Sequence, residues 1–220
     1  MRVTVIGASG GIGREVVRQG LEAEHEVTAV IRDSARSDAA LREWEKVPVG
    51  GPGRLHVALV DSLSPGALVG AVSGRDAVVS ALGPQGRSSD PTINSRGVRA
   101  AVMAMQEAAV TRIVAVSAAP LFVDGPALFR TVLRPLAWAT LRPHYADLER
   151  MEQVLRDSGL DWTTVRPPKL TNRPGTGRPG LTVDRAAPGG FVARADVAAA
   201  ILQVLPDPAS VGHAIGIGRP

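Results

Sequence analysis

The sequence predicts a single α/β domain built on a Rossmann-type, doubly wound parallel sheet. Three observations predict it. Short apolar runs rich in β-branched residues recur along the chain. Amphipathic helical stretches separate most of them. The first run leads directly into a glycine cluster and a helix. Strands that are apolar throughout and alternate with helices imply parallel β-α-β units with both sheet faces covered.

The elements follow in order. Arg2–Ile6 reads as the first strand, and Gly7 to Gly13 reads GASGGIG. After it, Ile12, Val16, Val17, Gly20 and Leu21 share one side of a helix. Further strands are expected at Glu26–Ile31, Arg54–Val60, Ala77–Leu82, Arg112–Val116 and Trp162–Val165, with a short late one at His213–Ile217. In Thr92–Ala109 the residues Val98, Ala101, Val102, Met105 and Ala109 keep helical spacing, and Leu148, Met151 and Leu155 do so in Pro143–Ser158. Gly159 is placed to end the latter helix. Two regions break the pattern. Ala118–Arg142 and Lys169–Gly190 are rich in proline or glycine and follow the carboxyl ends of strands, where open α/β sheets bind ligands. They are expected to form the walls and lid of a substrate pocket within one domain spanning residues 1–220.

Composition narrows the function. The net charge is +4, but the cations are scattered and aromatic residues make up 3 %, too few for base-stacking platforms, so nucleic acid is not an expected partner. No apolar run reaches the roughly 18 residues that span a membrane. With no cysteine there are no disulfides, thiolate nucleophiles or Cys-ligated metals, and the four histidines show no metal-ligand spacing. A cytoplasmic protein, monomeric or weakly dimeric and acting on a small molecule, is expected.

The glycine turn carries the first chemistry. Glycine lets the backbone approach a pyrophosphate, and the helix after it offers free N–H groups and a positive dipole end. The second strand ends IRDSAR. An arginine at that tip suits the 2′-phosphate of NADP, and Arg32 and Arg36 are placed for it; Asp33 offers the competing NAD reading through a ribose hydroxyl. The third strand ends in Asp61-Ser62, and the fourth in Ser80-Ala81-Leu82-Gly83-Pro84, where Gly83 lets the chain pass close to a cofactor. No P-loop ending and no Gly-x-Ser-x-Gly elbow is present, which argues against an NTPase and an α/β-hydrolase.

The segments GASGGIG, IRDSAR, VSALGP and VAVSAAP, with the later MEQVLRDSGLDWTTVRPPKLTNRPGTG, span nearly the whole chain. Together they resemble the atypical short-chain dehydrogenase/reductase superfamily, in its NmrA-like, NAD(P)H-binding branch, and within it the biliverdin-IXβ reductase (flavin reductase) group. The resemblance implies an NADPH-dependent reductase of flavins or other planar, conjugated acceptors. It places Gly7, Ser9, Gly10, Gly11, Ile12 and Gly13 around the pyrophosphate and Arg32 and Arg36 at the 2′-phosphate. It places Asp61 and Ser62 near the adenine and Leu82-Gly83 along the ribose. Ser117 and the turn Pro167-Pro168-Lys169 come near the nicotinamide.

Two departures shape the expected chemistry. Most short-chain dehydrogenases use a Tyr-x-x-x-Lys pair, but the single tyrosine is Tyr145 and Glu149 stands four residues on. Lys169 stands where that group carries a histidine after the two prolines. Ser117, Lys169 and His144 are the candidate catalytic side chains. The alternatives are an NmrA-like sensor that binds NADP(H) without turnover, and a biosynthetic ketoreductase, epimerase or dehydratase.

Overall fold

The computed structural model describes residues 1–31, 35–44, 54–60, 63–84, 90–121, 131–132 and 134–218. The strands of the first half are β1 (Arg2–Ile6), β2 (Glu26–Ile31), β3 (Arg54–Leu59), β4 (Ala77–Ser80) and β5 (Arg112–Val116). Helices α1 (Gly11–Glu22), α2 (Ala35–Trp44), α3 (Pro65–Val72) and α4 (Ile93–Glu107) alternate with them. The second half comprises α5 (Arg134–Arg156), β6 (Asp161–Arg166), β7 (Lys169–Thr171), β8 (Gly180–Val183), β9 (Phe191–Ala193), α6 (Arg194–Val204) and β10 (Ala214–Gly218).

The main sheet has the order β3-β2-β1-β4-β5-β6-β10-β8 and is parallel except for β8, which pairs antiparallel with β10 at the edge. The expected α/β Rossmann fold is therefore present. β1 is buried from Val3 to Ile6, and its residues alternate between two cores, as a period of two requires. Val3 and Val5 pack with Val16, Val17 and Leu21 of α1, Trp44 of α2 and Ile201 of α6. Ile6 packs with Leu68 of α3, Val98 and Met105 of α4, and Leu148 and Met151 of α5. No described helix is long and apolar enough to cross a membrane.

Both irregular regions hold more regular structure than the sequence suggests. In Ala118–Arg142, residues 122–130 and 133 lie outside the described residues. Helix α5 already begins at Arg134 and carries Pro143 inside it, rather than starting there. Proline removes one amide donor and crowds the carbonyl four residues back, yet its fixed φ is compatible with a helix and α5 continues through it.

Lys169–Gly190 contains β7 and β8, and β7 pairs in parallel with β9. The glycines of β10 let this segment pack closely against the sheet. A Cβ on Gly216 of β10 would meet the Arg185 carbonyl oxygen at 2.3 Å, and one on Gly218 would meet that of Pro188 at 2.3 Å. The 185–188 backbone thus lies directly on β10, so with β8 the stretch 180–188 of the expected lid is a wall of the sheet edge.

Candidate functional site

β1 lies between β2 and β4, and the chain runs outward to either side of it. At such a switch point the connections leave on opposite faces and open a crevice at the carboxyl ends of the strands. A cleft of about 630 Å³ opens there. Its lining begins at Gly7, Ser9, Gly10, Gly11 and Ile12, passes Val30, Ile31, Leu82 and Gly83, and ends at Ser117, His144, Tyr145, Pro167 and Pro168.

The glycine turn is built to its residues. Gly7 has φ +81°, and a Cβ there would stand 2.8 Å from the Ala81 carbonyl oxygen. The Gly10 N–H donates to the Gly7 carbonyl at 3.0 Å, closing the turn. Gly13 lies beneath it, where a Cβ would meet the Gly7 oxygen at 2.2 Å. Gly10 caps α1, and the first N–H to bond back into the helix is that of Arg14, to the Gly10 carbonyl at 2.9 Å. The N–H groups of Gly11, Ile12 and Gly13 have no intrahelical partner and mark the positive end of the helix. This cradle fits a pyrophosphate. Leu82 is fixed from below by Gly97 of α4, where a Cβ would clash with its Cδ1 at 2.2 Å. Gly83 has open space around it, so its small size matters only toward a ligand.

At the other end of the cleft, β5 and α5 bring Ser117, His144 and Tyr145 together. Ser117 is buried, and its hydroxyl donates to Glu152 Oε1 at 2.6 Å. Glu152 is 3 % exposed. It also accepts from Arg166 Nε at 2.9 Å, from Arg166 Nη2, and from Arg156 Nη1 at 3.4 Å. Tyr145 is buried, and burial raises its phenol above the ordinary value. His144 packs its ring 5.8 Å from that of Tyr145. Burial lowers its imidazole below the ordinary value against a weaker opposing pull from Asp147, so the ring is neutral at neutral pH.

Asp147 ties α5 to the start of α4. Fully buried, its carboxylate accepts from the Asn94 N–H at 3.0 Å, Asn94 Nδ2 at 3.1 Å, the Ser95 N–H at 3.4 Å and the Ser95 hydroxyl. A carboxylate there satisfies orphan amides and complements the helix dipole, which fixes Tyr145 against α4.

The structure gathers Gly7, Ser9, Gly10, Gly11, Ile12, Leu82, Gly83, Ser117, His144 and Pro167 along one cleft, with Gly13 supporting the turn. Lys169 does not join them. It is exposed, and its Nζ lies 5.5 Å from the Phe191 ring centroid. Successive residues of a strand face opposite ways, so Leu170 of β7 turns into the cleft and Lys169 turns out. Arg32, Asp61 and Ser62 lie outside the described residues, as does the side chain of Arg36. Among the described residues no group of acidic or histidine side chains is arranged to hold a metal ion. Sequence reasoning missed Glu152, Asp147 and Arg194. The last lines the cleft beside Gly11 from the start of α6.

A family model described as NAD(P)H-binding matches residues 7–208. The chain belongs to that family. The NAD(P)H-binding assignment agrees with the cradle, and the family is one of oxidoreductases and epimerase-like proteins. The chain is 30 % identical over 209 residues to the uncharacterized sugar epimerase YhfK of Bacillus subtilis, covering 93 % of this chain and 88 % of that one. Two solved structures share the fold. A short-chain dehydrogenase/reductase of Veillonella parvula in complex with NADP superposes with a TM-score of 0.78 at 22 % identity, covering 100 % of this chain and 94 % of that one. The anaerobilin reductase ChuY of Escherichia coli O157:H7 gives 0.73 at 22 %, covering 100 % and 98 %.

Proposed function

We propose that this NAD(P)H-binding protein is an NADP(H)-dependent reductase that passes hydride to a flavin, quinone or related conjugated small molecule. The state of the polar side chains beyond the cradle carries the reading. The Ser117 hydroxyl spends its one proton on Glu152, so its oxygen offers the cleft acceptor lone pairs. Burial keeps Tyr145 protonated, and Glu149 stands where a lysine would lower its pKa. His144 is neutral. None of the three is an activated acid.

Reduction of an isolated carbonyl needs such an acid, because charge builds on one oxygen. A conjugated ring spreads that charge and takes its proton from water. When bound, the reduced nicotinamide supplies the hydride. This chain's residues then hold the two rings together: Leu82 and Pro167 from the walls, Ser117 by accepting an N–H. Selectivity for NADP over NAD is assigned to Arg32 and Arg36. The protein is taken to work as a monomer or weak homodimer in the cytoplasm.

Similarity to YhfK favours a second reading, a sugar epimerase, in which Tyr145, Ser117 or His144 would have to move a proton. Tyr145→Phe separates the two. A general acid contributes about 10²–10⁴-fold to rate. The reductase reading predicts that kcat with a conjugated acceptor changes by less than about tenfold, below that range. A loss within the range would assign Tyr145 the acid's role and favour the second reading.

A further inference from the structure

We infer that Arg194 is a cofactor-binding residue that holds the pyrophosphate together with the glycine turn it lies against. The inference rests on the NAD(P)H cradle and not on the identity of the hydride acceptor. Arg194 is the first residue of α6, and its stem lies on Gly11, where a Cβ would meet its Cδ at 2.7 Å and its Nε at 2.8 Å. That contact gives Gly11 its own reason to be glycine: any side chain there would displace the arm. Arg194 is also the one Arg or Lys side chain among the described residues that line the cleft, and it does so beside Gly10, Gly11 and Ile12.

The charge is held but not neutralised. Arg194 Nη1 donates to the side-chain amide oxygen Oδ1 of Asn172 just after β7, and no carboxylate among the described residues pairs with it. A guanidinium carries five N–H donors in a fixed fork that matches phosphate oxygens, and one is used on Asn172. The guanidinium stands next to Gly11, its Cζ 3.7 Å from where a Cβ would be, at the end of α1 where orphan N–H groups already favour an anion. Two separate parts of the chain thereby converge on one diphosphate: backbone from the N-terminal turn, and a cation from the junction of β9 and α6.

The test is calorimetric titration of wild type, Arg194→Ala, Arg194→Lys and Asn172→Ala with NADP⁺, NAD⁺, ADP-ribose and adenosine 2′-monophosphate. Arg194→Ala is expected to weaken the first three alike, by about 10- to 100-fold, the ratio carried by a charge-assisted hydrogen bond. Adenosine 2′-monophosphate, which lacks the pyrophosphate, should bind as it does to wild type. Arg194→Lys should recover part of the loss, since the charge returns without the fork. Asn172→Ala, which loosens the arm without removing it, should lose less than Arg194→Ala. Wild-type affinity of Arg194→Ala for ADP-ribose would overturn the inference. So would an equal loss for adenosine 2′-monophosphate, which would show a collapsed site. Failure of wild type to bind any dinucleotide would overturn the cradle and Arg194 together, whereas binding without turnover would touch only the reductase reading.

Discussion

Glu152→Ala is expected to destabilise the protein by about 3–5 kcal/mol, the range for removing one partner of a buried ion pair. The carboxylate holds three groups: the Ser117 hydroxyl, Arg166 through two nitrogens, and Arg156. The side chains of Glu152 and Arg166 are 3 % and 13 % exposed, so solvent cannot replace the lost acceptor. For a chain of this size about 1 kcal/mol moves Tm by about 2–4 °C, so a fall on the order of 10 °C is expected in a thermal melt. Glu152→Gln keeps the volume and one acceptor oxygen and should lose less. Arg18→Ala provides the contrast. It breaks two pairs, with Glu22 and Glu15, whose side chains are 46 % and 27 % exposed beside an Arg18 that is 32 % exposed, and such pairs contribute about 0–1 kcal/mol each. Equal effects for Glu152→Ala and Arg18→Ala would refute the view of Glu152 as a buried anchor. The substitution also frees the Ser117 hydroxyl to rotate, so residual activity in folded Glu152→Ala should show altered KM for the acceptor.

Gly13→Ala is expected to abolish measurable cofactor binding, by at least on the order of 100-fold in Kd. The reason is local. The added Cβ would stand 2.2 Å from the Gly7 carbonyl oxygen, 2.8 Å from the Ala8 Cα and 2.9 Å from the Gly7 carbonyl carbon. All three are backbone atoms of the turn and cannot swing aside as a side chain would. Either the turn opens or α1 shifts, and each displaces the N–H groups that form the cradle. Gly83→Ala tests the same cleft differently. Nothing lies within 4 Å of its Cβ position, so its Tm should match wild type. Wild-type affinity of Gly13→Ala for NADP⁺ would show that the turn does not hold the pyrophosphate.

The fold and the cradle were legible because their signals are local. A run of β-branched residues, glycines spaced across seven positions and a helical stripe each sit within about a dozen residues, and backbone sterics tie each pattern to one geometry. What escaped the sequence is carried by contacts between distant segments. Asp147 caps α4 from 53 residues away, Glu152 grips Ser117 across 35, and Arg194 meets Asn172 across 22. A lone acid or arginine on a helix looks solvated until the neighbouring element is in place.

Lys169 was misplaced for a related reason. Its position after two prolines points to the cleft, but three residues are too short a run to signal the β7 strand, and a strand decides by parity which residue faces inward. The register of Lys169 opposite Phe191 in the β7–β9 pair then sends the cation outward. Pro143 misled in the opposite sense, as a helix start that proved to lie inside α5.

The NAD(P)H cradle opens onto a cleft whose described polar side chains Ser117, His144 and Tyr145 include no activated acid. Loss of NADPH absorbance on adding acceptors to the purified protein tests it most directly, with flavin mononucleotide and a quinone on one side and simple aldehydes and ketones on the other. Acceptor-dependent NADPH oxidation is expected with the conjugated compounds, slower oxidation with NADH, and none with the isolated carbonyls. Tight NADPH binding without oxidation by any conjugated acceptor, or turnover confined to the isolated carbonyls, would contradict it.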